Sequence, residues 1–249
     1  MKESASRSGN TFSFERLSDR ALEPKTVSAV ARDFYKTTLS MIDEFMGMLD
    51  RWTYETRTHS WRATHISLMI GEKMGMTPRD LFSLGVGALL HDVGKIRIPR
   101  EILLKPERLS EEEWMIMKLH PELGGFILDR FPSLHFAKDL VVQHQERWNG
   151  SGYPRGLRGK EIVQGARIFA VSDSYDAMTS RRAYNTVKNH EEALLELSMN
   201  AGTLYDPEVV HHFLEIDAAY LLGEQASFKE EGVLEALFPA ERFIQLVTE

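Results

Sequence analysis

The chain reads as an all-α protein, and three observations say so. Apolar residues recur at three-to-four spacing over long stretches, as a helix with one buried stripe requires. Helix start signals are frequent, with Ser, Thr, Asn or Asp set just ahead of Pro or acidic residues. Nowhere does an alternating apolar pattern meet the tight turns that would join strands into hairpins, and no internal repeat is visible.

The first 23 residues are polar, Ser-rich and aperiodic, and are expected to form a flexible arm. From Lys25 the pattern turns helical, with Val30, Phe34, Ile42, Phe45, Leu49 and Trp52 on one stripe. A second helix is expected from about Thr56 to Met74. Thr77-Pro78-Arg79-Asp80 combines an N-cap, a proline in the first turn and an early acid, and opens a helix ending near His91. Ser110-Glu111-Glu112-Glu113 spells a capping box ahead of the apolar Trp114, Ile116 and Met117. Pro121 separates that helix from one through Phe126 and Leu128, and a further helix is expected over Ala137 to His144.

A loop rich in Gly, Arg and Pro follows, from Arg147 to about Lys160. Arg167 to Met178 is apolar enough to pass for a buried strand at Ile168-Phe169-Ala170-Val171, but its length and helical neighbours favour a core helix. Asn189 and Asp206-Pro207 are starts for two more helices. One main domain over residues 24–215 is expected, with residues 216–249 as a short helical extension that caps the core or pairs with another subunit.

Hydrophobic residues make up 43% of the 249 and charged residues 27%, an ordinary balance for a globular chain with ample material for a core. No apolar run approaches the ~18 residues of a membrane span and no signal peptide is visible, so a cytoplasmic home is expected. There are no cysteines. Disulfides, thiolate nucleophiles and sulfur-ligated metals are therefore excluded, and any metal must sit on His, Asp, Glu or water. The formal net charge of −7 argues against a nucleic-acid polymer as partner, though cations grouped locally still suit a small anion.

The chemistry concentrates in Leu89-Leu90-His91-Asp92-Val93-Gly94-Lys95. An imidazole and a carboxylate project from one turn at the end of an apolar helix, and the two carboxylate oxygens suit two cations. Lys95 can reach back toward a bound phosphate. Four more residues sit where ligands would. His59 lies one helical turn after Glu55. His120 begins His-Pro-Glu-Leu-Gly-Gly, and His144 ends an apolar helix just before the Gly-rich loop. Asp173 interrupts the apolar run Phe169-Ala170-Val171-Ser172, where a carboxylate is costly unless paired or metal-bound. Any one of these histidines is more often a core or surface residue than a ligand. His65, His135, His190, His211 and His212 lack such surroundings and are given that plainer role.

Taken together, these segments resemble the HD-GYP family of HD-domain phosphohydrolases, which degrade cyclic di-GMP. The resemblance spans about residues 50–210 and rests on His91-Asp92-Val93-Gly94-Lys95, Ile98-Pro99, His120-Pro121, Glu146-Arg147-Trp148-Asn149-Gly150-Ser151-Gly152-Tyr153-Pro154 and Ala170-Val171-Ser172-Asp173-Ser174-Tyr175-Asp176-Ala177-Met178-Thr179-Ser180. It implies an HD-domain helical bundle and two divalent metals, with iron favoured and manganese the alternative. His59, His91, Asp92, His120, His144 and Asp173 would be ligands, and Asp92 would bridge. His59, His91 and Asp173 would complete one site, and His120 and His144 the other. Such a pair acidifies a shared water for in-line attack on a phosphodiester. Lys95 would bind the scissile phosphate, Arg182 the other phosphate, and Tyr153 would stack on a guanine or pack as part of a structural turn. The resemblance also implies docking of diguanylate cyclase domains on the Gly152-Tyr153-Pro154 loop, and allows a homodimer.

The chain departs from the family pattern in places. A second consecutive His is here Gln145, a weaker donor, while Glu55 keeps the carboxylate of three-metal members; two metals with a weak or absent third are expected. Arg181-Arg182-Ala183-Tyr184 replaces Asp-Arg-Pro-Tyr, Asn185 stands where a basic residue is frequent, and Asn149 replaces a common Asp. The competing expectation is a receptor or interaction module that binds the dinucleotide without turnover, and a third is hydrolysis of another nucleotide.

Overall fold

The computed structural model describes residues 24–53, 57–180, 187–218, 221 and 238. The expected N-terminal arm, nearly all of the C-terminal extension, and Glu55, Arg181, Arg182, Ala183, Tyr184 and Asn185 lie outside the described residues.

The all-α expectation is borne out. Ten helices follow in order among the described residues: α1 (Pro24–Trp52), α2 (Arg57–Lys73), α3 (Pro78–Leu90), α4 (Arg100–Leu103), α5 (Glu111–Met117), α6 (His120–Leu128), α7 (Lys138–Gln143), α8 (Gln164–Thr179), α9 (His190–Met199) and α10 (Pro207–Leu214). The only β-type pairings among these residues are two isolated bridges, Asn149 with Arg158 and Ala201 with Tyr205. Ile168-Phe169-Ala170-Val171 is fully helical, inside α8.

The start signals act as read. The Thr77 side chain accepts from the Asp80 amide, Ser110 and Glu113 form a reciprocal capping box, Asn189 and Glu192 form another, and Asp206 caps α10 ahead of Pro207. Each satisfies amides that the first helical turn leaves without partners. Two expectations need correction. The stripe of α1 runs through Ala31, Tyr35, Leu39, Ile42, Met46 and Leu49, leaving Val30 41% exposed. The helix expected from Ala137 begins one residue later at Lys138, after a 3-10 turn over Pro132–Ala137 that the proline opens.

Two apolar cores flank the middle of the molecule. One gathers Ile66, Ile70, Leu84, Phe169, Tyr175, Leu197 and Phe213 from α2, α3, α8, α9 and α10. The other gathers Ile42, Met46, Trp61, Leu89, Leu128 and Val141 from α1, α2, α3, α6 and α7, with Phe238 against it. Helices α2 and α3 serve both, and α2 packs on α3 and α8. At the seam, the 3-10 turn Val93–Arg97 lies directly on α6. A side chain at Gly94 would place its Cβ 1.9 Å from the His120 carbonyl oxygen and 2.5 Å from the Gly124 nitrogen. Only glycine permits that approach, which sets the end of α3 against the start of α6.

A candidate metal centre between the two cores

The candidate ligands collect where helices begin or end. His91 and Asp92 follow the last turn of α3, His120 opens α6, His144 follows α7, His59 lies in the first turn of α2, and Asp173 projects from mid-α8. Their exposure is 6% or less for His59, His91, Asp92, His120 and His144. Two groups form. His59, His91 and Asp173 make one, and Asp92, His120 and His144 the other, each with ligand atoms within 4.8 Å of one another. The family resemblance implies the same grouping, with Asp92 common to both sets.

Asp92 joins the groups. Its Oδ2 lies 3.0 Å from His91 Nε2 and 2.8 Å from Lys95 Nζ, while its Oδ1 faces His120 Nε2 at 3.3 Å and His144 Nε2 at 3.7 Å. One carboxylate oxygen thus points into each half. Burial alone would raise the Asp92 pKa, but His91, Lys95 and His120 around it hold the carboxyl well below the usual carboxylate range.

The histidines are oriented by their own helices. His91 Nδ1 is 2.7 Å from the Ala88 carbonyl, His120 Nδ1 2.8 Å from that of Met117, and His144 Nδ1 2.8 Å from that of Val141. A carbonyl only accepts, so each Nδ1 carries the proton and each Nε2 is turned inward. Burial lowers the pKa of His120, and lowers that of His144 to about 3 with help from neighbouring His120 and His91, so both rings are neutral. Their Nε2 atoms are therefore bare lone pairs, yet they lie 3.1 Å apart. Asp92 Oδ1, buried and without a hydrogen-bond partner, faces the same point. Three acceptors converging with no proton among them repel one another, and a cation at that point satisfies all three. The residues fit a metal.

The other half is built differently. His59 Nε2 is 3.1 Å from Asp173 Oδ1, and His59 Nδ1 is 2.5 Å from Asp176 Oδ2. Asp176 is fully buried, and Arg62 holds it through Nε at 2.5 Å and a second nitrogen at 3.1 Å, with Ser180 on the same carboxylate. Burial would lower the His59 pKa, but its hydrogen bonds to Asp173 and Asp176 and their charges raise it to about 9. Without a cation, a proton on Nε2 fills the place that a metal would take. Asp176 is a site residue that the sequence analysis left unassigned. Its signal was present: it follows Asp173 by three positions, one turn along the same apolar helix.

Lys95 stands beside Asp92, its Nζ 2.8 Å from Oδ2. Phe169, fully buried on α8, packs on His91 with ring centroids 4.6 Å apart. The loop after α7 is pinned by Glu146, 2% exposed, whose carboxylate accepts from the Arg155 and Leu157 amides at 2.7 and 3.1 Å. A Cβ at Gly152 would meet the Arg147 nitrogen and the Glu146 Cα at 2.4 Å, so the loop folds back tightly on α7. It delivers Tyr153 edge-on to His120, with centroids 6.3 Å apart. Gln145 contributes its backbone carbonyl to that loop, accepting from the Tyr153 amide at 3.2 Å. Glu55 and Arg182 lie outside the described residues.

The HD-domain family profile matches residues 42–209, the span that holds every one of these ligands. The chain belongs to the HD-domain family. A cyclic di-GMP phosphodiesterase of Thermotoga maritima is 44% identical over 186 residues, 74% of this chain and 50% of that protein. A 3′3′-cGAMP-specific phosphodiesterase of Vibrio cholerae is 32% identical over 185 residues, 74% of this chain and 35% of that one. This HD domain thus spans half or less of the length of these curated relatives. Among solved structures, an HDG"Y"P protein from Bdellovibrio bacteriovorus shares the fold, with a TM-score of 0.51 and 19% identity over 80% of this chain and 66% of that one. The HD-GYP resemblance is borne out. No helix among the described residues is long and apolar enough to cross a membrane.

Proposed function

We propose that this HD domain hydrolyses the 3′–5′ phosphodiester linkages of cyclic di-GMP, giving linear pGpG, or GMP after a second cut. The observation that carries the reading is the pair of bare imidazole nitrogens on His120 and His144, 3.1 Å apart and facing the buried Asp92 oxygen. A cation at that point would satisfy both nitrogens and the carboxylate oxygen together. When bound, two divalent cations sharing Asp92 would lower the pKa of a water and draw charge from the phosphodiester.

The remaining work falls to the chain. Lys95, already 2.8 Å from Asp92, supplies a positive charge where negative charge gathers on the phosphate. Tyr153 closes the pocket beside His120; burial pushes its phenol up to about 12, with the Asp92 charge adding to the rise, so it remains a protonated donor. Arg182 is assigned to the second phosphate on its position in the family pattern. An all-nitrogen-and-oxygen donor set rich in imidazole suits iron, with manganese next. A relative 44% identical that bears the cyclic di-GMP name supports this substrate. The 3′3′-cGAMP-specific relative supports a second reading, hydrolysis of the mixed dinucleotide.

The test is anaerobic turnover by protein loaded with Fe(II) or Mn(II), with products separated by chromatography. Formation of pGpG or GMP, lost on chelation, is the expected result. Fully metallated protein that leaves cyclic di-GMP intact would sink the proposal and favour a receptor.

A further inference from the structure

Beside the metal-binding pocket lies a cluster that phosphoryl chemistry does not use. Helix α5 buries none of its residues, and the Trp114 indole stands 46% exposed on it. Lys118, one turn later, holds its ammonium 5.9 Å from the Trp114 ring centroid and 5.6 Å from that of Tyr153. Tyr153 in turn meets His120. The order from solvent to cation site is therefore Trp114, Lys118, Tyr153, His120. No carboxylate among the described residues pairs with Lys118, so its ammonium is kept by two aromatic faces rather than by an ion pair. A lone exposed tryptophan asks for no explanation. A lysine between two aromatic rings, in line with a metal ligand, does.

We propose that Lys118 is the residue that reads guanine at this site. The inference rests on the dinucleotide reading above. A nucleotide whose phosphate lies at the Asp92 cations carries its base outward by the width of a ribose, toward Tyr153. A base that reaches the rim of the Tyr153 ring brings its edge to the ammonium held there. Base stacking on aromatic side chains accepts any base, so it does not discriminate. The ammonium does. Lysine is a donor with no acceptor. Guanine offers it two adjacent acceptors, O6 and N7, whereas adenine sets the N6 donor beside N7 and opposes a second donor. The flexible four-carbon stem lets the ammonium follow the base edge without leaving the aromatic pair. One guanine meets this requirement. The substrate class is then any cyclic dinucleotide with at least one guanine, cyclic di-GMP and 3′3′-cGAMP alike, with cyclic di-AMP rejected.

GMP and AMP, which carry no phosphodiester to cut, separate recognition from turnover. Their dissociation constants are measured by calorimetry on Mn(II)-loaded protein, Lys118→Met and Lys118→Arg, with metal content as the control for folding. Turnover of cyclic di-GMP and cyclic di-AMP is measured alongside. Wild type should bind GMP at least about tenfold tighter than AMP, Lys118→Met should level the two, and Lys118→Arg should keep the preference. Equal weakening of GMP and AMP in Lys118→Met would assign the lysine to phosphate and overturn the inference, as would an unchanged ratio. If the GMP preference depends on Lys118 while no dinucleotide is turned over, the phosphodiesterase reading falls and the guanine site stands. If cyclic di-GMP is hydrolysed but the GMP to AMP ratio ignores Lys118, the guanine site alone falls.

Discussion

The two halves of the candidate metal centre use the same residue types and differ in how one imidazole, that of His59, is held. His91 in the same half is aimed by a local carbonyl, like the histidines of the other half. In the half made of Asp92, His120 and His144, each imidazole is aimed by a carbonyl three residues earlier on its own chain. Local helix geometry alone sets the tautomer there. In the half made of His59, His91 and Asp173, His59 is aimed by Asp176, 117 residues away. That carboxylate is in turn held by Arg62. The first half is closed, with all three groups buried, whereas Asp173 opens the second toward solvent. Both halves need distant segments to meet, α3 with α6 and α7 in the first and α2 with α3 and α8 in the second, and the second also borrows a remote carboxylate to aim an imidazole. Among the described residues, Asp92 is the one that reaches both.

The largest effect should come from removing that shared group. Asp92→Ala should abolish metal retention in both halves and, with it, turnover. Metal counted by elemental analysis on folded protein decides this, and activity with two metals still bound would break the bridging assignment.

Next is the remote support. Asp176→Asn keeps the shape but takes away the negative charge behind His59, and groups of this kind change metal affinity by about 10–100-fold. The loss should confine itself to the half with His59, so stoichiometry should fall from two toward one at limiting metal. Uniform weakening of both would show that the halves are not independent.

The smallest effect is a difference in pH response. A cation must displace the proton from His59, whose pKa is raised to about 9, so below that value each unit of acid should weaken the His59 half about tenfold. The pKa of His144 is lowered to about 3 and that of His120 is lowered as well, so their half needs no proton release across neutral pH. Metal titrations at pH 7.5 and pH 8.5 should therefore give two classes of site that draw together at the higher pH, a change of about tenfold. Parallel shifts of both would remove the contrast.

How much of this was legible beforehand varies residue by residue. His91 and Asp92 announce themselves because adjacent ligands at a helix end form a local pattern. His120, His144 and Asp173 were readable through flanking prolines, glycines and apolar runs. Asp176 was not assigned, because a carboxylate on a helix looks solvent-facing until its partners are known, and His59 and Arg62 lie more than a hundred positions away. Lys118 escaped for the same reason: it reads as a surface cation after an amphipathic helix, and only folding brings Tyr153 beneath it. Apolar type alone does not report burial either: Trp114 and Ile116 follow the capping box, yet α5 buries nothing.

By itself, then, the sequence determined the helices, their caps and the absence of thiolate chemistry, which depend on composition or on contacts within a few residues, and offered six candidate ligands. Tertiary structure decided which candidate ligands gather together, which lone pairs are left bare, and which carboxylate stands behind His59. Those are properties of distances between segments far apart in the chain, set by how α2, α3 and α8 pack and by the glycine contact that lays the end of α3 on α6.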